Sequence, residues 1–397
     1  MDARRAGRLA ARVLVALLSV AVLAATGSGW YLQRQLRDTT VSSDVLVRQA
    51  PVPEGEPFTA LLVGLDARTD AAGNPLSPEL LAALHAGPDE GQLHTDTMIL
   101  LRVPGRDGGP ATAISIPRDS YVPIVGERGR HKINSAYRRG VEEAEESVGA
   151  LGITGPELDR RRREAGRKKL VATVENLTGV SIDHFAEINL AGFVELTEAI
   201  GGVPVCLNQP VRDSYSGVDL PAGEQWVSGP TALAFVRQRH GLQGGDLDRI
   251  ARQQAFAAGL AQRLQGTGTL SDAARLDQLV RVVSRHVVLD RGWDLDKAIT
   301  QLSRFTGDEL VFRTIPTGRI DLPTPVDGIA VEIDEDAVRN FVTVALNPAL
   351  AASASTIAPA TTALPGTTTE PAPTAGTAEA PSTSSRVITA DGIPCVN

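Results

Sequence analysis

Three short runs of the 397-residue chain set acids and arginines against apolar stretches: Leu62-Val63-Gly64-Leu65-Asp66-Ala67-Arg68, His94-Thr95-Asp96-Thr97 and Ile116-Pro117-Arg118-Asp119-Ser120. A fourth group runs from Thr231 to His240 with Arg237 and Arg239, then Gly245-Asp246-Leu247-Asp248-Arg249 and Gln253. Charges beside buried strands are costly unless they serve one another or a ligand. Two or three would make a structural ion-pair cluster; this many point to a site. Arginine forks match phosphate oxygens bidentately. Carboxylates beside them suit a hard divalent cation, because Mg²⁺ takes one or two protein carboxylates plus substrate phosphates. His131-Lys132-Ile133-Asn134 adds a cation and an amide at the start of a predicted helix, a favourable place for an anion. There is no Gly-rich loop ending in Lys-Ser/Thr, so a nucleoside triphosphate is not indicated, and no Gly-x-Ser-x-Gly elbow.

Strands must carry these groups to one place. Thr59–Leu65, Met98–Val103 and Ala111–Ile116 read as buried strands. Gly105–Pro110 is short and Gly-rich, as a hairpin requires. An antiparallel meander then puts Asp66, Arg68, Asp96, Arg118 and Asp119 on one sheet edge. Arg237 and Arg239 share a side only on extended chain, whereas Arg249 and Gln253 share a helix face. Asp246 fits a helix N-cap. Leu276, Leu279, Val280, Val283 and Val287 form one helical stripe, Phe193, Leu196 and Ile200 another stopped by Gly201-Gly202, and Val338 to Ala345 a last helix. The helices around Phe193 and Leu279 either line a lipid groove or are ordinary core. Leu310–Ile315 and Gly328–Ile333 read as late strands. Thr69–Leu93 reads as a long loop, and Arg160–Lys169 as the solvated face of a helix. The order of elements predicts an α/β fold with α/β/α-type layers, one mixed central sheet flanked by helices in a single large extracytoplasmic domain.

The remaining composition sets location and excludes classes. The net charge is −8, with four Lys against 35 Arg, which excludes a globally basic nucleic-acid binder. Arg4, Arg5, Arg8 and Arg12 precede an apolar stretch of bilayer-spanning length, predicting 1–12 as a cytoplasmic N-terminus and 13–32 as an anchor running N-in. The rival reading is a cleaved signal peptide, with Val22-Leu23-Ala24 at the cleavage site. Residues 33–57 read as a linker and 58–346 as the catalytic domain. Between Ala351 and Ser385, 31 of 35 residues are Ala, Thr, Ser, Pro or Gly, so 347–385 reads as a disordered tail before a last segment, 386–397. The two cysteines, Cys206 and Cys395, exclude a Cys-ligated zinc site. In an exported chain they are expected to form one disulfide, contributing at most about 5 kcal/mol in the chain-entropy picture; the alternative is two free thiols.

In order, Gly-Leu-Asp66-Ala-Arg68, Thr-Asp96-Thr-Met, Ser-Ile-Pro-Arg118-Asp119-Ser, His-Lys132-Ile-Asn134-Ser-Ala-Tyr, Phe-Val-Arg237-Gln-Arg239-His and Gly-Asp246-Leu-Asp-Arg249 through Gln253 resemble the LytR-CpsA-Psr family over about residues 58–265. The resemblance implies an anchored, exported enzyme that moves a glycopolymer from a polyprenyl-pyrophosphate carrier to peptidoglycan with Mg²⁺. Its partners would be the lipid-linked glycan donor, the peptidoglycan acceptor and membrane lipid, with no nucleic acid. The ending Asp391-Gly-Ile-Pro-Cys395-Val-Asn resembles actinobacterial members, implying an arabinogalactan-type cargo; a teichoic-acid-like one is the alternative. Carried over, Asp66 and Asp96 are the metal-linked acids. Asp66, Arg118, Asp119, Arg237 and Arg239 are the catalytic set. Arg68, Arg118, Lys132, Asn134, Arg237, Arg239, Arg249 and Gln253 bind pyrophosphate. Asp66 or Asp119 would accept the hydroxyl proton. Two departures stand out: the Asp66–Asp96 stretch is long for the family, and the tail lacks an accessory domain. The rival functions are a pyrophosphate hydrolase and a non-catalytic envelope attenuator.

Overall fold

The computed structural model describes residues 41–46, 52–53, 55–71, 73–87, 91, 93–106, 109–242, 244–266, 273–293, 310–347, 388–389 and 392–397. The expected cytoplasmic segment and anchor (1–32), and the tail from 348 to 385, lie outside them. Among the described residues no helix is long and apolar enough to cross a membrane.

The chain enters at Val41–Ser43 (β1), inside the stretch expected as linker, and Val45 and Leu46 that follow are already buried in the core. Phe58–Asp66 (β2), His94–Val103 (β3) and Ala111–Ser115 (β4) form the expected meander, antiparallel throughout. Between β2 and β3 the expected loop contains a short helix, Pro78–Ala83 (α1). Ser77 caps it by accepting from the Leu80 amide, and Pro78 opens it, a start signal hidden among glycines and prolines. Ser120–Pro123 (β5) and Arg130–Lys132 (β6) lead through a 3₁₀ turn, Ile133–Ser135, into Ala136–Gly149 (α2) and then Gly155–Thr178 (α3). These two helices cross at Gly140 and Gly166, where a Cβ on Gly140 would lie 2.8 Å from the Ala165 carbonyl oxygen.

His184–Asn189 (β7) returns parallel to β2 and is followed by Leu190–Ala199 (α4). Val203–Leu207 (β8), Val211–Asp213 (β9), Val218–Leu220 (β10) and Gly223–Val227 (β11) make two small sheets outside the main one. Gly229–Arg237 (α5), Asp246–Gly266 (α6) and Ala273–His286 (α7) complete that face. The stripe expected to run through Val287 stops at His286. Val287–Asp290 (β12) pairs instead with β7, because a Val-Val-Leu run extends readily once an edge is available. Leu310–Thr314 (β13), Leu322–Pro323 (β14), Ile329–Glu332 (β15), Glu335–Leu346 (α8), Ile388–Thr389 (β16) and Cys395–Val396 (β17) finish the chain.

The main sheet has eight strands in the order β1-β12-β7-β2-β3-β4-β13-β16 and is mixed. One core lies between this sheet and α2, α3 and α8; a second lies under α4, α5, α6 and α7. This is the expected α/β/α layering. The disulfide forms: Cys206 is bonded to Cys395, across 189 positions, and β17 lies parallel to β8.

The basic run on α3 is only half solvated. Arg160, Arg161 and Lys168 pair with Glu157 and Glu164 at the surface. Arg163 and Arg167, one turn apart, continue inward into Leu170 and Val174. Arg167 makes two 2.9 Å hydrogen bonds to Glu187 on β7 and one to Ser43 on β1, locking α3 to the sheet. Removing one partner strands a buried charge, so Arg167→Met is expected to cost about 3–5 kcal/mol. Arg167→Met with Glu187→Leu should recover most of that loss, as read by urea unfolding; equal instability of the single and double variants would show that the pair is not the cause.

Candidate functional site

The meander brings the C-terminal end of β2, the N-terminal end of β3 and the C-terminal end of β4 to one sheet edge. The pairing contains a bulge: Gly64 faces Thr97 and Leu65 faces Thr95, so the register skips Asp96. A bulge frees a side chain from strand alternation and re-aims it. Here Asp96 Oδ1 accepts from Arg118 Nη1 at 2.5 Å. The Arg118 Nε lies 3.6 Å from Asp119, and Asp119 also meets Lys132 at 3.4 Å and Arg239 at 3.2 Å. Asn134 is buried alongside, its main-chain N–H donating to the Arg118 carbonyl at 3.1 Å.

The second half of the site comes from α5 and α6. Arg237 ends α5 and donates to the Leu84 carbonyl at 3.1 Å; because it is still helical, the shared side expected of extended chain does not apply to it, and Arg239, beyond the extended Gln238, reaches Asp119 instead. Arg249 Nη2 reaches the Asp96 carbonyl at 3.5 Å, and Gln253 reaches the Val236 carbonyl at 3.4 Å. Arginines separated by more than a hundred positions thus meet the two acids in one place.

Two residues differ from their sequence reading. Arg68 has its Nε and Nη2 engaged by the Ala86 carbonyl, and its Nη1 is 3.2 Å from Asp66. It lies beside Asp66, and its Nη1 is buried without a hydrogen-bond partner. Asp246 is not a cap but the first residue of α6, and its carboxylate lies 2.5 Å from Arg249 and 3.8 Å from Arg239. Its three-residue spacing from Arg249 was the signal for an ion pair. Asp246 is the site acid that sequence reasoning missed.

The charges are not mutually satisfied. Asp66 Oδ1, Arg118 Nε, Asp119 Oδ1, both Asp246 oxygens and Arg249 Nε are buried without a hydrogen-bond partner. Native interiors tolerate few such atoms, and a cluster of them marks a place built for a ligand. Burial raises the Asp66 pKa and Asp96 adds repulsion, outweighing Arg68, Arg237 and Arg118. Burial likewise raises Asp246 against the pull of Arg249. At Arg118 burial opposes the charge, but Asp96, Asp119 and Asp246 overcome it and raise the pKa. Asp66 and Asp96 lie close enough for their charges to repel, and Asp66 Oδ1 has no hydrogen-bond partner; among the described residues no group of three or more His, Cys, Asp or Glu could hold a metal.

Behind the charged edge opens an apolar cavity of about 340 Å³. Leu62, Phe193, Leu196, Ile200, Leu233 and Leu260 line it, and Asp66, Asp96, Arg237, Arg249 and Gln253 stand at its polar end. Phe193 therefore faces a groove, whereas Leu279 is ordinary core.

The profile of the LytR_cpsA_psr family matches residues 30–339. The chain belongs to the LytR-CpsA-Psr family. It is 40% identical to the cell wall biosynthesis protein LcpA of Corynebacterium glutamicum over 87% of this chain and 67% of that one. It is 26% identical to the polyisoprenyl-teichoic acid–peptidoglycan teichoic acid transferase TagU of Enterococcus faecalis, over 72% and 80% of the two chains. The crystal structure of Bacillus subtilis TagV shares the fold, with a TM-score of 0.54 at 22% identity over 74% of this chain and 98% of that one.

A carboxyl whose pKa rises on folding costs stability above its folded pKa and nothing below the unfolded value of about 3.9. Asp66→Asn is therefore expected to raise the Tm of this LytR-CpsA-Psr protein at pH 7 in the presence of a chelator. The advantage should shrink as the pH falls and the wild-type carboxyl takes up its proton. A Tm lower than wild type at pH 7 would contradict the assignment of Asp66 as a strained buried acid.

Proposed function

We propose that this protein is a phosphotransferase that attaches a glycopolymer, arabinogalactan- or teichoic-acid-like, from a polyprenyl-pyrophosphate carrier to peptidoglycan in the cell envelope. The observation that carries the reading is the placement of Arg118, Arg237 and Arg249, beside Asp66 and Asp96, where the charged edge meets the apolar cavity. A diphosphate on an isoprenoid chain has that polarity, with two phosphates to meet guanidinium groups and a hydrocarbon tail to fill the cavity. Membership of a family whose relatives are named for cell-wall biosynthesis and teichoic acid transfer supports the same reading. The anchor at 13–32, N-in, would hold the domain at the membrane where such a carrier resides.

In this reading Arg237, Arg239 and Arg249 take up the charge of the diphosphate, and Arg118 covers the phosphorus under attack. Preorganised cations act most strongly in a site that excludes water. Lys132 and Asn134 complete the rim. A peptidoglycan sugar hydroxyl attacks the sugar-side phosphorus. Its O–P bond forms, the bond to polyprenyl phosphate breaks, and a phosphodiester remains on the wall. Asp119 is surrounded by Arg118, Lys132 and Arg239 and serves as their counterion. Asp66 Oδ1, buried without a hydrogen-bond partner, is the oxygen left to accept the hydroxyl proton. Asp66 and Asp96 fit Mg²⁺, a hard cation that completes its shell with phosphate oxygens and water. When bound it would neutralise charge on the diphosphate.

The test uses full-length protein in detergent with a polyprenyl-pyrophosphate-linked oligosaccharide, Mg²⁺ and peptidoglycan fragments. Mass spectrometry should find a phosphodiester-linked conjugate. Arg118→Ala and Arg239→Ala should each lower kcat/KM by about 10²–10³-fold. Phosphate-terminated glycan without conjugate would replace the transferase with a hydrolase, and full activity of both variants would remove the arginines from the site. Separately, Mg²⁺ should raise the Tm of wild type in the presence of inorganic pyrophosphate and leave that of Asp66→Ala/Asp96→Ala unchanged; equal shifts would place the cation elsewhere.

A further inference from the structure

Gln238 lies between two site arginines yet points away from them. It ends α5 with φ −56° and ψ 133°, and it is buried. Its two neighbours both reach the site, Arg237 at the polar end of the cavity and Arg239 at Asp119 and Asp246, so fixing Gln238 fixes the backbone that carries them. Two hydrogen bonds hold it inward: its Oε1 accepts from Arg252 Nη1 at 2.6 Å, and its Nε2 donates to the His240 carbonyl at 3.0 Å.

Arg252 is fully buried. Besides Gln238, its Nε donates to the Asn397 main-chain oxygen at 2.5 Å, and its guanidinium carbon lies 5.2 Å from the centre of the Phe235 ring. Burial lowers its pKa to about 10, against Asp248 and Asp213. Such a cation depends on each acceptor it has. Asn397 is held in turn by covalent and strand contacts. β17 pairs with β8 through Cys395 opposite Cys206 and Val396 opposite Leu207, the disulfide joins the two strands, and Asn208 donates to the Val396 carbonyl at 2.9 Å and to Asn397 Oδ1 at 3.0 Å.

We propose that Arg252 and Gln238 are positioning residues for the Arg237–Arg239 pair, and that the disulfide-held segment Cys395–Asn397 keeps Arg252 in place, which couples the redox state of Cys206–Cys395 to the geometry of the site. The proposal rests on the transferase reading for its turnover readout but not for its binding readout. Opening the disulfide lets Asn397 leave. The Arg252 guanidinium then keeps only Gln238 as acceptor and shifts, Gln238 shifts with it, and the backbone carrying Arg237 and Arg239 is displaced.

The test compares full-length wild type, Gln238→Ala, Gln238→Glu and Arg252→Met, oxidised and reduced, each confirmed folded at the assay temperature by circular dichroism. Gln238→Ala and Arg252→Met should each lower kcat about tenfold or more. Gln238→Glu, which keeps an acceptor for Arg252, should restore most of it. Reduction should lower wild-type kcat to the level of Gln238→Ala and change Gln238→Ala little, because both act through one linkage. The affinity for inorganic pyrophosphate, read by calorimetry, should follow the same pattern. If reduction and Gln238→Ala instead multiply their effects, or if Gln238→Ala binds pyrophosphate as wild type does, the linkage is only structural and the proposal falls. If no variant and no wild type transfers glycan while the pyrophosphate pattern holds, the transferase reading falls and the positioning role stands.

Discussion

Four guanidinium groups cannot sit together at a half-buried sheet edge without carboxylates between them, and this constraint organises the molecule. Arg118 lies between Asp96 and Asp119, Arg239 between Asp119 and Asp246, and Arg249 against Asp246. The interleaving lowers repulsion enough for the cluster to exist, but the orphaned oxygens and nitrogens show that it is not fully compensated.

The rest of the fold keeps that cluster rigid. The β2–β3 bulge turns Asp96 to Arg118, the Ala86 carbonyl fixes Arg68 and through it Asp66, and the Arg167–Glu187 pair holds α3 against the sheet that carries Asp66. On the other side the C-terminal strand reaches the same site through Arg252. A site whose chemistry is positioning and charge stabilisation needs supports of this kind, since small displacements of a donor cost much of its effect. The apolar cavity follows from the same layering. The helices over the second core leave space beside the charged edge, and Phe193 and Leu196 face it while Leu279 packs away.

Parts of this were legible in the residue order. The apolar runs ending at Asp66 and Arg118 read as strands because their burial needs no periodicity beyond a short hydrophobic stretch, and Gly105–Pro110 is a hairpin connection. From these the edge position of Asp66, Asp96, Arg118 and Asp119 follows. The disulfide follows from two cysteines in a chain with an export signature. Other parts left weaker marks. Helix α1 is brief and surrounded by glycine and proline, and Val287 switches from helix to strand because a neighbouring edge accepts it. Arg163 and Arg167 look like surface charge until the sheet supplies Glu187.

Residue types along the chain identified the family to which these motifs belong and raised the expectations of phosphate for the arginine forks, a hard cation for two acids and a membrane for the apolar leader. They did so because such preferences reside in single side chains and short spacings. Which arginine is exposed and which is buried, as Arg239 and Arg68 are, depended on long-range packing. So did the turn of Asp246 towards Arg249 and Arg239, the aim of Asp96 at its bulge, and the reach of Asn397 to Arg252. Each rests on the geometry between segments that no local pattern encodes, because a hydrogen bond or ion pair forms only where two distant pieces of backbone are held a few ångströms apart.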